Sequence, residues 1–118
     1  MRTHQQRLGL FLQHSKKALG FSRQEIATSL GISYAYYGHL ETGRRPIPVK
    51  VTAQLDKKFN LPTGTVEKLV RCARTSDVMQ KDLLSDLLLD VTQLIVDQSD
   101  MWAAMEYRHH IIPILKVP

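Results

Sequence analysis

Apolar residues in the first 75 positions recur at the three- and four-residue spacing of amphipathic helices. Pro46 and Pro48 interrupt this pattern, because proline cannot continue a helix. A first helix is predicted from Leu8, Phe11, Leu12, Ser15 and Leu19, a fourth from Val51, Leu55 and Phe59, and a fifth from Val66, Leu69, Val70 and Ala73. The pattern predicts an all-α fold.

Between the first and fourth helices, residues 22–45 predict two short helices joined by a tight turn. Ser22 and Glu25 fit the capping box that opens a helix, and Gly31 stands where this helix must end. Ser33 can cap the next helix, and Gly43 ends it. The inward residues would be Ile26, Ala27 and Leu30 on the first helix and Tyr37 and Leu40 on the second. This outline fits a helix-turn-helix that enters the major groove of DNA, and also an αα-hairpin that merely packs.

Positive charge is concentrated in the half of the chain that contains this motif. Residues 1–75 carry a net charge of +9 and residues 76–118 a net charge of −4, which gives the chain its +5. A basic surface suits phosphate binding, whereas DNA would repel an acidic segment. We therefore predict a DNA-binding domain at residues 1–75 and an acidic, apolar helical segment at residues 76–118.

Residues 8 to about 74 resemble the phage-repressor helix-turn-helix family (XRE-type), which includes the Cro and CI repressors. The matching residues are Arg23, Glu25, Ala27, Gly31, Ser33, Leu40, Glu41 and Gly43, followed by Arg44, Arg45 and Pro46. The resemblance implies a five-helix, lambda-repressor-like DNA-binding domain that acts as a dimer on a two-fold symmetric operator. It implies nothing about residues 76–118.

Residue by residue, the resemblance implies a DNA-contacting surface around the second helix of the motif. Base edges would be contacted by Tyr34, Ala35 and His39, and the DNA backbone by Arg23, Gln24, Tyr36, Arg44 and Arg45. Tyr37 is expected in the core. For Tyr36 the alternative is packing against the scaffold, and for His39 it is a solvated surface position.

Two further residues of the second helix need a structural explanation. In relatives a basic residue on the first helix pairs with the acid at Glu41, and Lys16 stands in that register. The resemblance therefore implies a structural ion pair rather than a catalytic dyad. Gly38 lies inside the helix, where glycine costs roughly 1 kcal/mol relative to alanine. Its missing side chain would allow close approach either of DNA or of another helix.

The acidic segment predicts two more helices after a boundary at residues 74–77, where Asp77 can cap the first of them. The first carries an apolar stripe opposite an acidic ridge at Asp82, Asp86 and Asp90. The second runs from Asp100 to about residue 109, with Met101, Trp102, Met105 and Tyr107 directed toward the stripe. Residues 107–118 are apolar but contain Pro113, which fits a terminal arm packed on a neighbouring subunit.

Two helices of this size make a poor core by themselves, so the stripe must pack on the first domain or on a second copy. The two-fold dimer that DNA binding requires favours the second copy. The residues expected at this dimer interface are Leu84, Leu87, Leu88, Val91, Leu94, Ile95 and Trp102.

No sequence feature indicates catalysis, a cofactor or a metal. Cys72 is the single cysteine, which suits a reducing cytoplasm. His109 and His110 lack cysteine or carboxylate partners at ligand spacing. The apolar run at residues 8–12 is too short for a signal peptide or a membrane span. We therefore expect a cytoplasmic protein that is not an enzyme and does not associate with a membrane.

The sequence favours a sequence-specific transcriptional regulator, a homodimeric repressor of a phage, prophage or plasmid-like element. Its partner would be double-stranded DNA containing a pseudo-palindromic operator. The alternative is an antitoxin or another protein-interaction regulator. Its C-terminal segment would bind a partner protein while its helix-turn-helix autoregulates.

Overall fold

The computed structural model describes residues 3–74 and 83–115, which form helices joined by turns and loops, with no strand among them. The helices are α1 (His4–Ala18), α2 (Arg23–Leu30), α3 (Tyr34–Glu41), α4 (Thr52–Lys58), α5 (Thr65–Arg74), α6 (Leu83–Gln98) and α7 (Met101–Leu115). A single 3₁₀ turn, Val49–Val51, leads into α4. The predicted all-α class is confirmed.

Local side-chain chemistry sets the ends of α2 and α3 as the sequence predicted. Ser22 Oγ accepts a hydrogen bond from the Glu25 N–H, and the Glu25 carboxylate accepts one from the Ser22 N–H, each at 3.1 Å. The hydrogen bond from the Ser22 backbone N–H to the carboxylate is the main cause that lowers the pKa of Glu25, and the Ser22 side chain adds to it. Gly31 closes α2 with φ = 68°, a conformation that favours glycine. Ser33 Oγ caps α3 by accepting from the Tyr36 N–H at 3.0 Å.

The apolar faces predicted for α1 to α5 converge on one core. Phe11 of α1 and Phe59 beyond α4 meet edge to face at its centre, with ring centroids 6.4 Å apart. The buried members are Leu8, Phe11, Leu12, Ile26, Ala27, Leu30, Tyr37, Leu40, Val51, Leu55, Phe59, Val66, Leu69, Val70 and Ala73. Leu19 is only half-buried, because it follows the last residue of α1.

One glycine allows α1 and α3 to approach closely. A Cβ atom on Gly9 would lie 2.8 Å from the carbonyl oxygen of Leu40, and closer still to the carbonyl oxygen of Glu41. These are backbone atoms, so they cannot move aside as a flexible side chain can. Gly9 therefore fixes the distance between the first helix and the second helix of the motif.

The C-terminal helices complete the same core instead of forming a separate surface. α6 packs on α5 and α1, and α7 packs along α1 and α6. Four residues of the predicted dimer interface, Leu84, Leu88, Val91 and Ile95, are 0–4% exposed and belong to the same hydrophobic cluster as the apolar residues of α1, so the structure places them in the core of their own chain. Helix α6, which carries these residues, packs on α7, α5 and α1 of the same chain. Leu87, Leu94 and Trp102 remain at least partly accessible, so their role at an interface stays a prediction.

Helix α7 continues to Leu115 and includes Pro113, so the predicted end near residue 109 is wrong. Its last turn is held by side chains of the same chain. Arg7 Nε donates to the Ile114 carbonyl at 2.8 Å, and Ser85 Oγ donates to the Leu115 carbonyl at 2.8 Å. These bonds satisfy carbonyl groups that have no partner within the helix. The expected arm on a neighbouring subunit is therefore a helix packed on its own chain.

Only part of the predicted inward face of α7 is buried. Tyr107 is buried and its hydroxyl lies 3.1 Å from Ser15 Oγ, and burial raises the pKa of Tyr107 to about 12. Met101, Trp102 and Met105 are instead 81%, 76% and 57% exposed, because the packed side of α7 is formed by Ala104, Tyr107, Ile111 and Ile114.

The acidic ridge of α6 is present at Asp86 and Asp90, which are both exposed. The remaining predictions for this region, Asp82, Asp77 as a cap and the boundary after Arg74, lie outside the described residues. The division of the chain at residues 75 and 76 therefore stays a prediction.

Candidate DNA-binding surface

Helix α3 is held in place by the side that faces the core. Tyr37, Leu40 and Glu41 are 0–2% exposed, and the first two pack in the hydrophobic cluster. Burial raises the pKa of Tyr37, and the neighbouring Glu41 carboxylate raises it further. The prediction that Tyr37 is a core residue is confirmed.

The opposite side of α3 presents the predicted base-reading residues. Tyr34 is 51% exposed, Ala35 is also exposed, and His39 is half-buried one turn later. At 100° per residue, Ala35 and His39 share the outward face and Tyr34 stands at its edge in the first turn. The structure therefore brings these three residues together on one accessible surface.

Glu41 anchors this surface through two ion pairs. Its Oε1 lies 2.9 Å from Lys16 Nζ on α1, and its Oε2 lies 2.9 Å from Arg23 Nη2 on α2. The Glu41 side chain is 1% exposed and that of Lys16 is 9% exposed. The predicted pair of Lys16 and Glu41 is confirmed, and the same carboxylate also connects α2 to α3.

Arg23 was expected to contact phosphate, and the structure gives it an additional role. The hydrogen bond from its Nη2 to Glu41 raises the pKa of Arg23. Its guanidinium carbon also lies 5.4 Å from the centroid of the Tyr34 ring, within cation–π range. A phosphate contact by Arg23 stays a prediction, since one end of its guanidinium already holds Glu41.

Gly38 lies beneath this guanidinium. A Cβ atom at Gly38 would lie 3.6 Å from Arg23 Nη1, which is an ordinary van der Waals distance, and would meet nothing else within 4 Å. The group that approaches Gly38 is thus a side chain of α2, and it leaves room for a methyl group.

The other predicted backbone contacts are distributed around α3. Gln24 is exposed and its Nε2 donates to Thr28 Oγ1 at 3.1 Å. Arg44 and Arg45 are exposed in the loop after α3, where both backbone N–H groups donate to the His39 carbonyl. These bonds fix the start of the basic loop close to the end of α3. Tyr36 is half-buried and packs against the core, so it has a structural role whether or not it contacts DNA.

Thr42 was not among the DNA-contacting residues predicted from the sequence, although it lies beside them. It is exposed, follows His39 by three residues, and its hydroxyl donates to the carbonyls of Gly38 and His39. Its spacing of seven residues from Ala35 could have indicated the shared face. We add Thr42 to the candidate surface.

Two other kinds of feature, a metal-binding cluster and a membrane-spanning helix, are absent from the described residues. Among residues 3–74 and 83–115, no group of three or more His, Cys, Asp or Glu side chains is placed to hold a metal ion. None of the helices in those two ranges combines the length and the apolar content that crossing a membrane requires.

Comparison with known proteins gives one match. A family model described as a helix-turn-helix domain matches residues 7–83, which is well over half of the chain. Comparisons with curated proteins and with solved structures gave no match. The matched segment contains α1 from Arg7 onward and all of α2 to α5, and therefore the whole candidate surface. The protein belongs to the helix-turn-helix domain family, whose domain is that of DNA-binding regulators.

Proposed function

We propose that the protein is a sequence-specific transcriptional repressor that binds a pseudo-palindromic operator as a homodimer. The observation that carries this proposal is the two-sided character of α3. Its inner side is fixed by Tyr37, Leu40 and the ion pairs of Glu41, while Tyr34 and Ala35 face solvent. A rigid helix with accessible side chains is what reading a major groove requires.

Each exposed group has a chemistry suited to this task. The Tyr34 hydroxyl can donate or accept at a base edge, and the Ala35 methyl group can pack on a thymine methyl. His39 can contact a base one turn further along α3. Arg44 and Arg45, in the loop after α3, carry guanidinium groups whose paired N–H donors suit phosphate. Gln24, on the neighbouring helix α2, carries a side-chain amide.

Repression would follow from occupying an operator that overlaps a promoter. Two recognition helices must enter successive major grooves about 34 Å apart, which calls for a two-fold dimer. Leu87, Leu94 and Trp102 are the accessible members of the predicted dimer interface. This function requires neither a cofactor nor a catalytic group, and it places the protein in the cytoplasm of a bacterium, with a phage or mobile element as its source.

Selection of bound DNA from a random pool tests this proposal most directly, because it yields site, symmetry and half-site spacing together. We expect an inverted repeat with half-sites one helical turn apart. Affinity for the selected site should also fall steeply with salt as phosphate-bound counterions are released. Equal affinity for selected and random DNA at every salt concentration would contradict sequence-specific binding.

A second candidate function is an antitoxin-like regulator whose C-terminal helices bind a partner protein. The exposure of Met101, Trp102 and Met105 on α7 is the observation that favours it. Inspection of the adjacent genes is the simplest test, since this function requires a small toxin gene beside this one.

A further inference from the structure

Helix α7 is apolar on two opposite sides. One side buries Ala104, Tyr107, Ile111 and Ile114 within the chain. On the other, Met101 is 81% exposed, Trp102 76%, Met105 57% and Ile112 49%. We call these last four residues the outer stripe of α7. Glu106, Arg108 and His109 are exposed around this stripe, and an exposed apolar patch rimmed by polar residues is typical of an interaction site.

The shape of the surface around Trp102 indicates what covers it. Trp102 lines two neighbouring hollows of about 240 Å³ and about 290 Å³. The first is lined by α1 and α7, including His14, Lys17 and Tyr107, and the second is lined by Met105 and His109. An exposed ring that borders two hollows can enter the equivalent hollow of a second copy, since a two-fold contact places the same patch on both sides.

The exposed area of the outer stripe and the charges at its rim both favour packing against a second copy of the chain. Given these exposed fractions, the outer stripe offers on the order of 500 Å² per chain, so that two copies reach roughly the 1,000 Å² that a stable interface needs. A central tryptophan in a hollow is the type of residue that dominates interface energies. Lys17 and Glu106 also line the first hollow, so each copy brings both signs of charge to the rim.

We propose that the outer stripe of α7 packs against the same stripe of a second copy around a two-fold axis. Each Trp102 is then seated in a hollow beside the equivalent tryptophan. This interface rests on the proposed homodimer and supplies its surface, but it does not depend on DNA recognition. It is centred on Trp102, which the sequence also placed at the dimer interface, rather than on α6, where four of the predicted residues are buried within the chain.

Sedimentation equilibrium of the full chain without DNA tests the interface, with fluorescence as a second measurement. We expect a dimer at high concentration. Trp102 is the only tryptophan, so its emission should shift to shorter wavelength as dimerisation removes the indole from water. Trp102→Asp and Met105→Asp should each raise the dimer dissociation constant by at least about 30-fold, the effect of losing an interface hot spot.

Leu89→Asp is the matched control. Leu89 is 58% exposed on α6, outside the outer stripe, so the same change should leave the dissociation constant unaltered. Circular dichroism of each variant checks that it is folded. We expect each variant to fold, because the replaced side chains are exposed.

The outcomes separate the interface from the other proposals. A dimer that persists in Trp102→Asp and Met105→Asp would overturn the α7 interface while leaving the homodimer intact. A wild-type protein that stays monomeric at every concentration, with unchanged emission, would overturn both. DNA binding is judged separately by the selection experiment, so its failure would not touch the interface.

Discussion

Arg23 and Glu41 join the two helices of the motif through a contact of 2.9 Å between Nη2 and Oε2. The same carboxylate holds Lys16 at 2.9 Å, so three helices meet at one buried acid. The Glu41 side chain, which is 1% exposed, therefore helps to orient α3 relative to α1 and α2 without being part of the candidate surface.

Replacing Glu41 with glutamine should destabilise the fold. The change leaves the nearly buried ammonium of Lys16 without its counter-charge, and removing one partner of a buried ion pair costs about 3 kcal/mol or more. The free energy of unfolding measured with urea checks this. Glu67→Gln is the control, because the exposed pair of Glu67 and Arg71 should contribute less than about 1 kcal/mol. Equal small losses in both variants would contradict the anchoring role of Glu41.

Tyr34→Phe should change the preferred DNA sequence without changing stability. The ring remains beneath Arg23, while the hydroxyl that could contact a base edge is lost. We expect a loss of about 1 kcal/mol at one operator position and none on random DNA. Binding measured against a set of single-base operator variants checks this expectation.

Arg44→Ala should weaken DNA binding without changing the preferred DNA sequence. The loss of a phosphate contact weakens binding to selected and random DNA alike, and it lowers the slope of affinity against salt by about 1. If Arg44→Ala altered sequence preference while the salt slope stayed the same, its assignment to the DNA backbone would be wrong.

Gly9 and Gly38 should respond differently to the same change. Gly9→Ala would force the α3 backbone away from α1 and strongly destabilise the protein, because the new methyl group overlaps backbone carbonyls. Gly38→Ala introduces only an ordinary contact with Arg23 and should stabilise the helix by up to about 1 kcal/mol. Thermal unfolding of both variants checks the pair, and comparable destabilisation by both would be inconsistent with the packing described.

The stability of the protein should decrease as the pH falls from about 6.5 to about 4. Burial is the main cause that lowers the pKa of His14 from 6.5 to about 4; His110, Lys17 and Lys16 contribute to the decrease, and Glu41 opposes it. The ring stacks on His110 with centroids 4.5 Å apart. In this pH range the unfolded chain binds a proton at His14 that the folded protein excludes, so acid favours unfolding.

Two variants test this assignment by urea unfolding across the pH range. His14→Gln should remove this contribution to the pH dependence, since glutamine does not titrate. His110→Gln should reduce it only in part, because burial of His14 remains the larger cause. A pH dependence that is unchanged in His14→Gln would show that other groups produce it.

Local chemistry explains why so much of the motif could be predicted. The capping contacts are local: Ser22 and Glu25, Gly31 and Ser33 each contact residues within four positions of themselves. Their spacing in the sequence is therefore enough to predict where the helices begin and end. The inward faces of α1 to α5 follow from helical periodicity in the same way. Only the resemblance implied the pair of Lys16 and Glu41, since their separation in sequence has no local pattern.

The C-terminal half shows the limit of such reasoning. An apolar stripe indicates that a face is buried, but not by which neighbour, because burial in one's own chain and burial in a second copy satisfy the same hydrophobic requirement. For α6 the neighbours are α7, α5 and α1 of its own chain. Pro113 argued against a continued helix, yet Arg7 and Ser85 bind the carbonyls of the last turn and hold α7 to Leu115.

The sequence by itself determined the helical class, the ends of the motif and which residues of α3 face outward, because each of these depends on spacing along the chain. Only the tertiary structure decided that Arg23 shares Glu41 with Lys16, that α6 completes the core of the first five helices, and that Trp102 faces solvent. These contacts join residues that are far apart in sequence. The energy of each contact depends on the distance between the two groups, and only the folded chain fixes that distance.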